Sequence, residues 1–266
     1  MSRIIHPTAI VADSVELADD VEIGAYCVLE GNVKIASGTR LMSHVSIAGN
    51  TTIGHDNRFF PYSSVSHEPQ DLKFHGEPSQ VVIGDRNTIR EHATIHPGTE
   101  GGGMMTRIGN DNLLMAYTHI AHDCLLGNQI VMANAATLAG HVSIDDGAII
   151  GGMSAIHQFL RIGRYSMVGG MSGVVKDIPP YCLTAGGYRS GLAGLNLVGL
   201  KRRGFTSKDV RLLKEIYRVL FQNSDPIEQR LAEADVLAED DGHALHLIQF
   251  VRDATRGLTM HRRDQS

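Results

Sequence analysis

The stretch IGNDNLLMAYTHIAHDCLLGNQIVMANAATLAGHVSI, residues 108–144, places a large aliphatic side chain at every sixth position: Ile108, Leu114, Ile120, Leu126, Met132, Leu138 and Ile144. An amphipathic helix would repeat every 3.6 residues and a half-buried strand every two. A period of six is the hexapeptide signature of a parallel β-helix, in which each hexad makes one flat face and three hexads close a coil. The aliphatic residue of each hexad points into a prism.

The register continues through Ile150, Ile156, Ile162 and Val168 to Val174. Toward the N-terminus it runs unbroken from Ile5 to Val65, skips, and resumes at Ile83, Ile89 and Ile95. The skips are two polar or Gly-rich segments, SHEPQDLKFHGEPSQ (66–80) and GTEGGGMMTR (98–107), expected to be extruded as loops. Gly24, Gly54, Gly84, Gly109, Gly127 and Gly163 are expected where the chain turns a corner. The 26 in-register positions predict roughly nine coils, about 40 Å of prism at the usual strand spacing. Residues 18 apart should then stack directly.

Beyond Pro179-Pro180 the hexads are expected to end. From about Ser190 the apolar spacing becomes helical, through Leu192, Leu195, Val198 and Leu200, with an N-cap expected at Thr206 or Ser207. Further helices are expected after Asp225-Pro226 and over roughly 242–255. The expected organisation is therefore an all-β solenoid at 1–187 and a small α-helical domain at 188–266 that closes the end of the prism.

Composition agrees with a narrow aliphatic interior: 266 residues with 29 Gly, no Trp and 5% aromatics. A net charge of −5 argues against broad nucleic-acid binding, which needs a dominant basic face. No apolar run reaches the length of a membrane span, and the first residues lack a signal-peptide core. Cys27, Cys124 and Cys182 are too few and scattered for a disulfide framework. A soluble cytoplasmic protein is expected.

The densest reactive cluster is HIAHDC, residues 119–124. Stacking by 18 puts Gly140 on His122, Gln158 one coil further, and His141 on Asp123. A general base needs an imidazole near neutral pKa and a partner that fixes its tautomer. An oxyanion needs an accessible backbone N–H, which glycine leaves open. The column offers both. His6, His44, His55 and His261 read instead as solvated residues, and Cys124 as a small buried apolar one. Neutral imidazoles also ligate zinc, and γ-class carbonic anhydrases use His ligands on this type of fold, so on the residues alone a zinc site stays open. A purely structural solenoid would need neither the His–Gly column nor a basic helical tail, where 13 of the 24 Lys and Arg lie from residue 181 onward.

The segments QDLKFHGEP (70–78), IGDRNTIRE (83–91), DNLLMAYTHIAHDC (111–124), ATLAGHVSIDD (136–146), AIIGGMSAIHQF (148–159) and GLKRRGF (199–205) resemble the UDP-N-acetylglucosamine O-acyltransferases of lipid A biosynthesis, over nearly the whole chain. That resemblance implies a left-handed parallel β-helix forming a homotrimer with sites in the clefts between subunits. It implies transfer of an (R)-3-hydroxyacyl chain from acyl carrier protein to the 3-hydroxyl of UDP-N-acetylglucosamine. It implies no metal and no cofactor beyond the carrier's phosphopantetheine.

By the same resemblance His122 is the catalytic base, Asp123 orients it, and Gly140 donates to the thioester oxyanion. His119, His141 and Gln158 line the site. Asp71 and Lys73 reach across the subunit boundary, and Gly170 acts as a ruler for acyl length. Asn196, Arg202 and Arg203 hold the nucleotide and diphosphate, while Lys201-Arg202-Arg203 also suits an acidic carrier protein. Two departures stand out: Asn196-Leu197-Val198-Gly199 where the family has N-L-E-G, and Pro97 where an Arg commonly follows the His. An N-acyltransferase acting on a 3-amino variant of the sugar would need the same base and oxyanion donor.

Overall fold

A computed structural model describes residues 3–188 and 190–261. The chain winds into a parallel β-helix of about ten turns with three flat faces, carrying eleven, ten and eight strands. The first face begins at Ile4–Ile5, the second at Ile10–Val11 and the third at Glu16–Leu17. Pairing is in register every 18 residues, as in Ile5 with Ile23 and Leu114 with Met132. The offset widens to 30 across the first loop, where Asn50 pairs with Gln80, and to 25 across the second, where Gln80 pairs with Met105. Both expected loops therefore leave the same corner, between the second and third faces, without disturbing the stacking.

Each hexad aliphatic from Ile23 to Val174 is buried in one continuous core. The first coil is the exception: its inward residues Ile5, Val11 and Leu17 are exposed or only half-buried, because no coil lies beneath them.

The corner glycines serve close approach rather than backbone angle. A Cβ on Gly109 would lie 2.5 Å from the Gly127 carbonyl oxygen, and one on Gly163 would lie 2.4 Å from the Pro180 nitrogen. The left-handed residue of each corner follows two positions later and carries a side chain, as in Tyr26, His44, Tyr62, His92 and Tyr117. These five stack as a ladder of rings with centroids 4.6–5.0 Å apart. His44 is exposed as expected and also stacks in this ladder, and His261 Nδ1 lies 2.9 Å from the Tyr217 hydroxyl.

The prism outlasts its hexad pattern. Cys182–Thr184 and Gly187–Tyr188 still pair in parallel with the coil below. The apolar spacing of Leu192 and Leu195, expected to be helical, belongs to a strand that closes the first face antiparallel to Cys182–Thr184. Two apolar residues three apart do not distinguish a helical turn from a kinked strand, and the neighbouring sheet edge decides it. Helices α1 (Leu197–Arg202), α2 (Ser207–Gln222), α3 (Ile227–Ala238) and α4 (Gly242–Arg252) follow. Thr206 caps α2 in a capping box with Asp209, and Asp241 caps α4. Leu213, Ile216, Leu220, Leu247 and Ile248 share a core with Tyr181 and Cys182 of the last coil, so the helices plug the prism. Among the described residues no helix is long and apolar enough to cross a membrane.

Candidate active site

The site is built on the corner from which both loops emerge. His119 begins a two-residue strand of the second face that ends at Ile120, and the chain turns at His122 and Asp123, the latter in the left-handed conformation. The next coil repeats the turn at Gly140 and His141, with the His141 N–H donating to the His122 carbonyl at 3.0 Å. A Cβ on Gly140 would lie 2.5 Å from His122 Cε1. Glycine is needed here because the imidazole occupies the place of its side chain. The Gly140 N–H finds no acceptor among the described residues.

His122 Nδ1 lies 2.8 Å from Asp123 Oδ2, which fixes the proton on Nδ1 and leaves Nε2 as the basic atom. The Asp123 side chain is fully buried. Its oxygens also accept from the Thr99 N–H at 2.9 Å and the Thr99 hydroxyl at 2.6 Å. Gly102 packs its backbone on the same carboxylate, where a Cβ would lie 2.0 Å from Asp123 Cγ. The Gly-rich loop is thus a lid that dries and clamps the orienting acid. Thr99 and Gly102 were not singled out in the sequence, although the run Thr99-Glu100-Gly101-Gly102-Gly103 was the signal.

Asp71 Oδ2 stands 3.8 Å from His122 Nε2 of its own chain. Asp71 therefore lies beside the His122 of its own chain, and the expected reach of Asp71 and Lys73 across a subunit boundary is a matter of the assembly. Glu77 ties the first loop back by accepting from its own His75 N–H and from the Glu100 N–H of the second loop. The exposed Lys73 rides on this loop, and its N–H donates to Asp71.

His119 Nδ1 lies 2.6 Å from the Thr94 hydroxyl, and burial, then His122, holds its pKa below the usual histidine range. His141 packs edge-on against His122; burial lowers its pKa more than the Asp123 charge raises it. Two rings join the group unannounced. His96 packs on His119, and burial pushes its pKa down to about 4, aided by His119 and His122. Phe159 stacks on His141 at 4.2 Å. Gln158 lies exposed one coil beyond Gly140, and Gly170 lies away on another corner, stacked on Gly152.

Asn196, Arg202 and Arg203 are not brought to this corner. The Asn196 side chain caps α1 and donates to the Tyr165 carbonyl, so its amide is internally engaged. Arg203 donates to the Gly147 carbonyl and lies over the Tyr165 ring, at the corner between the third and first faces. Arg202 and Val198 are exposed on α1.

His122, Asp123 and His141 hold ligand-type atoms within 4.8 Å of one another. Asp123 already accepts three hydrogen bonds, two from Thr99 and one from His122 itself. Burial pushes the Cys124 thiol up to about 12, which excludes a ready thiolate nucleophile.

The UDP-N-acetylglucosamine O-acyltransferase domain 2 model matches residues 177–259. The UDP-N-acetylglucosamine O-acyltransferase from Moraxella catarrhalis is 44% identical over 96% of this chain and 99% of that one, with a TM-score of 0.94. The chain belongs to the UDP-N-acetylglucosamine O-acyltransferase family. The Francisella novicida UDP-N-acetylglucosamine acyltransferase is 39% identical, with coverages of 98% and 95% and a TM-score of 0.93. The Arabidopsis UDP-N-acetylglucosamine acyltransferase is 33% identical, with coverages of 94% and 96% and a TM-score of 0.82. The similarity to these acyltransferases runs through prism and helices alike, so family membership rests on the whole chain. It makes the protein an enzyme, an acyltransferase.

Proposed function

We propose that the chain transfers an (R)-3-hydroxyacyl group from acyl carrier protein to the 3-hydroxyl of UDP-N-acetylglucosamine, the opening step of lipid A biosynthesis. The observation that carries this reading is the stacked corner of His122, Asp123 and Gly140. It joins an oriented base to a free backbone donor.

The sugar hydroxyl binds at His122 Nε2, which Asp71 Oδ2, 3.8 Å away, leaves without a direct hydrogen bond. Nε2 takes its proton while the oxygen attacks the thioester carbonyl carbon. The Gly140 N–H stabilises the oxyanion of the tetrahedral intermediate. As that intermediate collapses the carbon–sulfur bond breaks, and the imidazolium protonates the departing thiolate. The products are the 3-O-acyl sugar nucleotide and the carrier's free thiol. No acyl-enzyme forms, and no cofactor is used beyond the donor's own phosphopantetheine. The buried Asp123 steadies the transient imidazolium.

Asn196, Arg202 and Arg203 support a homotrimer. They lie at a different corner from His122, so a neighbouring copy would supply the nucleotide contacts that one chain's corner lacks. We place the reaction in the cytoplasm, with its carrier-borne donor.

Mass spectrometry of products from UDP-N-acetylglucosamine with a panel of hydroxyacyl carrier proteins tests the reading. An ester product with stoichiometric thiol release supports it. Acylation only of a 3-amino sugar, as an amide, or no acylated nucleotide at all, overturns it.

A further inference from the structure

The column that holds His122 and Gly140 does not stop at Gln158. The pairing of Ala155 with Gly173 and of Ile156 with Val174 places His157 beside Val175 and Lys176 directly beyond Gln158. Here the tail after α4 runs along the last coil, with the Asp177 N–H donating to the Gly257 carbonyl. A groove of about 330 Å³ opens between the two, lined by His157, Val175, Thr255 and Arg256. The Arg256 guanidinium lies 5.6 Å from the ring of Phe159, the residue stacked on His141. Lys176 packs beside Gly257, at the same end of the groove. Lys176 and Arg256 make no ion pair among the described residues, whereas the neighbouring Arg161 and Arg252 are both matched to carboxylates. Two exposed cations and an imidazole thus flank a partly apolar groove on the axis of the catalytic column.

The geometry points to a phosphate subsite for the donor's pantetheine arm, with Arg256 and Lys176 holding the phosphodiester and Val175 beside the arm's gem-dimethyl group. This rests on the acyl-transfer reading above. Lys176 is two coils from Gly140, about 10 Å along the axis, and its side chain and that of Arg256 reach further. The arm runs about thirteen bonds from sulfur to phosphorus, about 15 Å at the advance of an extended chain. A thioester placed at the Gly140 N–H therefore sets its phosphate at this groove. Guanidinium and ammonium groups are the usual partners of phosphate.

Two small donors test it, the same hydroxyacyl group on phosphopantetheine and on dephosphorylated pantetheine. Wild type is expected to prefer the phosphorylated donor by about tenfold or more in kcat/KM. Arg256→Met should reduce that preference to about twofold, with Lys176→Met intermediate and Arg256→Lys partly restoring it. The KM for UDP-N-acetylglucosamine should not move in any of them. Wild type turning over both donors without discrimination would overturn the subsite while leaving acyl transfer standing; failure with either donor and with the acyl carrier protein would remove the transfer reading itself. A raised KM for UDP-N-acetylglucosamine in Arg256→Met would assign the cations to the nucleotide diphosphate and overturn the proposal. Loss confined to the carrier-borne donor would assign them to the carrier's surface, again overturning it.

Discussion

At the scale of single residues, the site is a set of histidines kept neutral around one oriented base. His96 is the extreme member. Its burial, with His119, His122 and His67 nearby, drives its pKa to about 4, against about 6.5 in an unfolded chain. Between those values the unfolded state binds the extra proton. The stabilisation is therefore complete above about pH 6.5 and is lost as pH falls toward 4. A shift of that size corresponds to on the order of 3 kcal/mol. Urea midpoints of wild type should fall across this window more steeply than those of His96→Gln; parallel slopes would contradict the assignment. Gly170 is the second case. Its backbone is not left-handed, and an added Cβ would meet Gly152 oxygen at an ordinary 3.4 Å. Gly170→Met should therefore fold normally and, if the position gauges acyl length, shift preference to donors about four carbons shorter, at about 0.8 kcal/mol per buried methylene. Equal loss on every chain length would refute the gauge.

At the scale of elements, an Arg161–Asp177 ion pair within the prism adds a polar tie to the apolar core that the prism shares with the helices. Asp177 is fully buried and accepts from the Arg161 N–H and Nε, while Arg161 Nη2 donates to the Phe250 carbonyl at the end of α4. Arg161→Met strands that carboxylate and should cost about 3–5 kcal/mol of unfolding free energy; a loss below about 1 kcal/mol would show the joint to be incidental. The elements also show where sequence was legible. Hexad spacing located the strands, both loops and the stack of Gly140 on His122, because a solenoid turns sequence separation directly into height. It did not locate the last coil, since Cys182–Thr184 and Gly187–Tyr188 carry no hexad aliphatic series and are held by pairing alone. Nor did it find the grip of Thr99 on Asp123. Loop residues have no fixed stacking rule, and their contacts follow from the path of the loop.

At the scale of the whole molecule, the account divides the site unevenly between chains. Asp71 and His122 belong to one chain, whereas Arg202 sits on α1, away from that corner. Random mixing of His122→Ala with Arg202→Ala subunits should regenerate about a quarter of the sites if neighbours contribute the nucleotide contacts. Mixing His122→Ala with Asp71→Ala should regenerate none. Recovery in the second mixture, or none in the first after verified subunit exchange, would contradict that division. The central claim is that a single imidazole on the prism's corner moves the proton. It is tested most directly by thiol release from hydroxyacyl carrier protein in the presence of UDP-N-acetylglucosamine, comparing wild type with His122→Ala. The account predicts a fall of about a thousandfold or more in kcat, within the range for loss of a general base, with unchanged circular dichroism; a folded variant turning over within tenfold of wild type would contradict it.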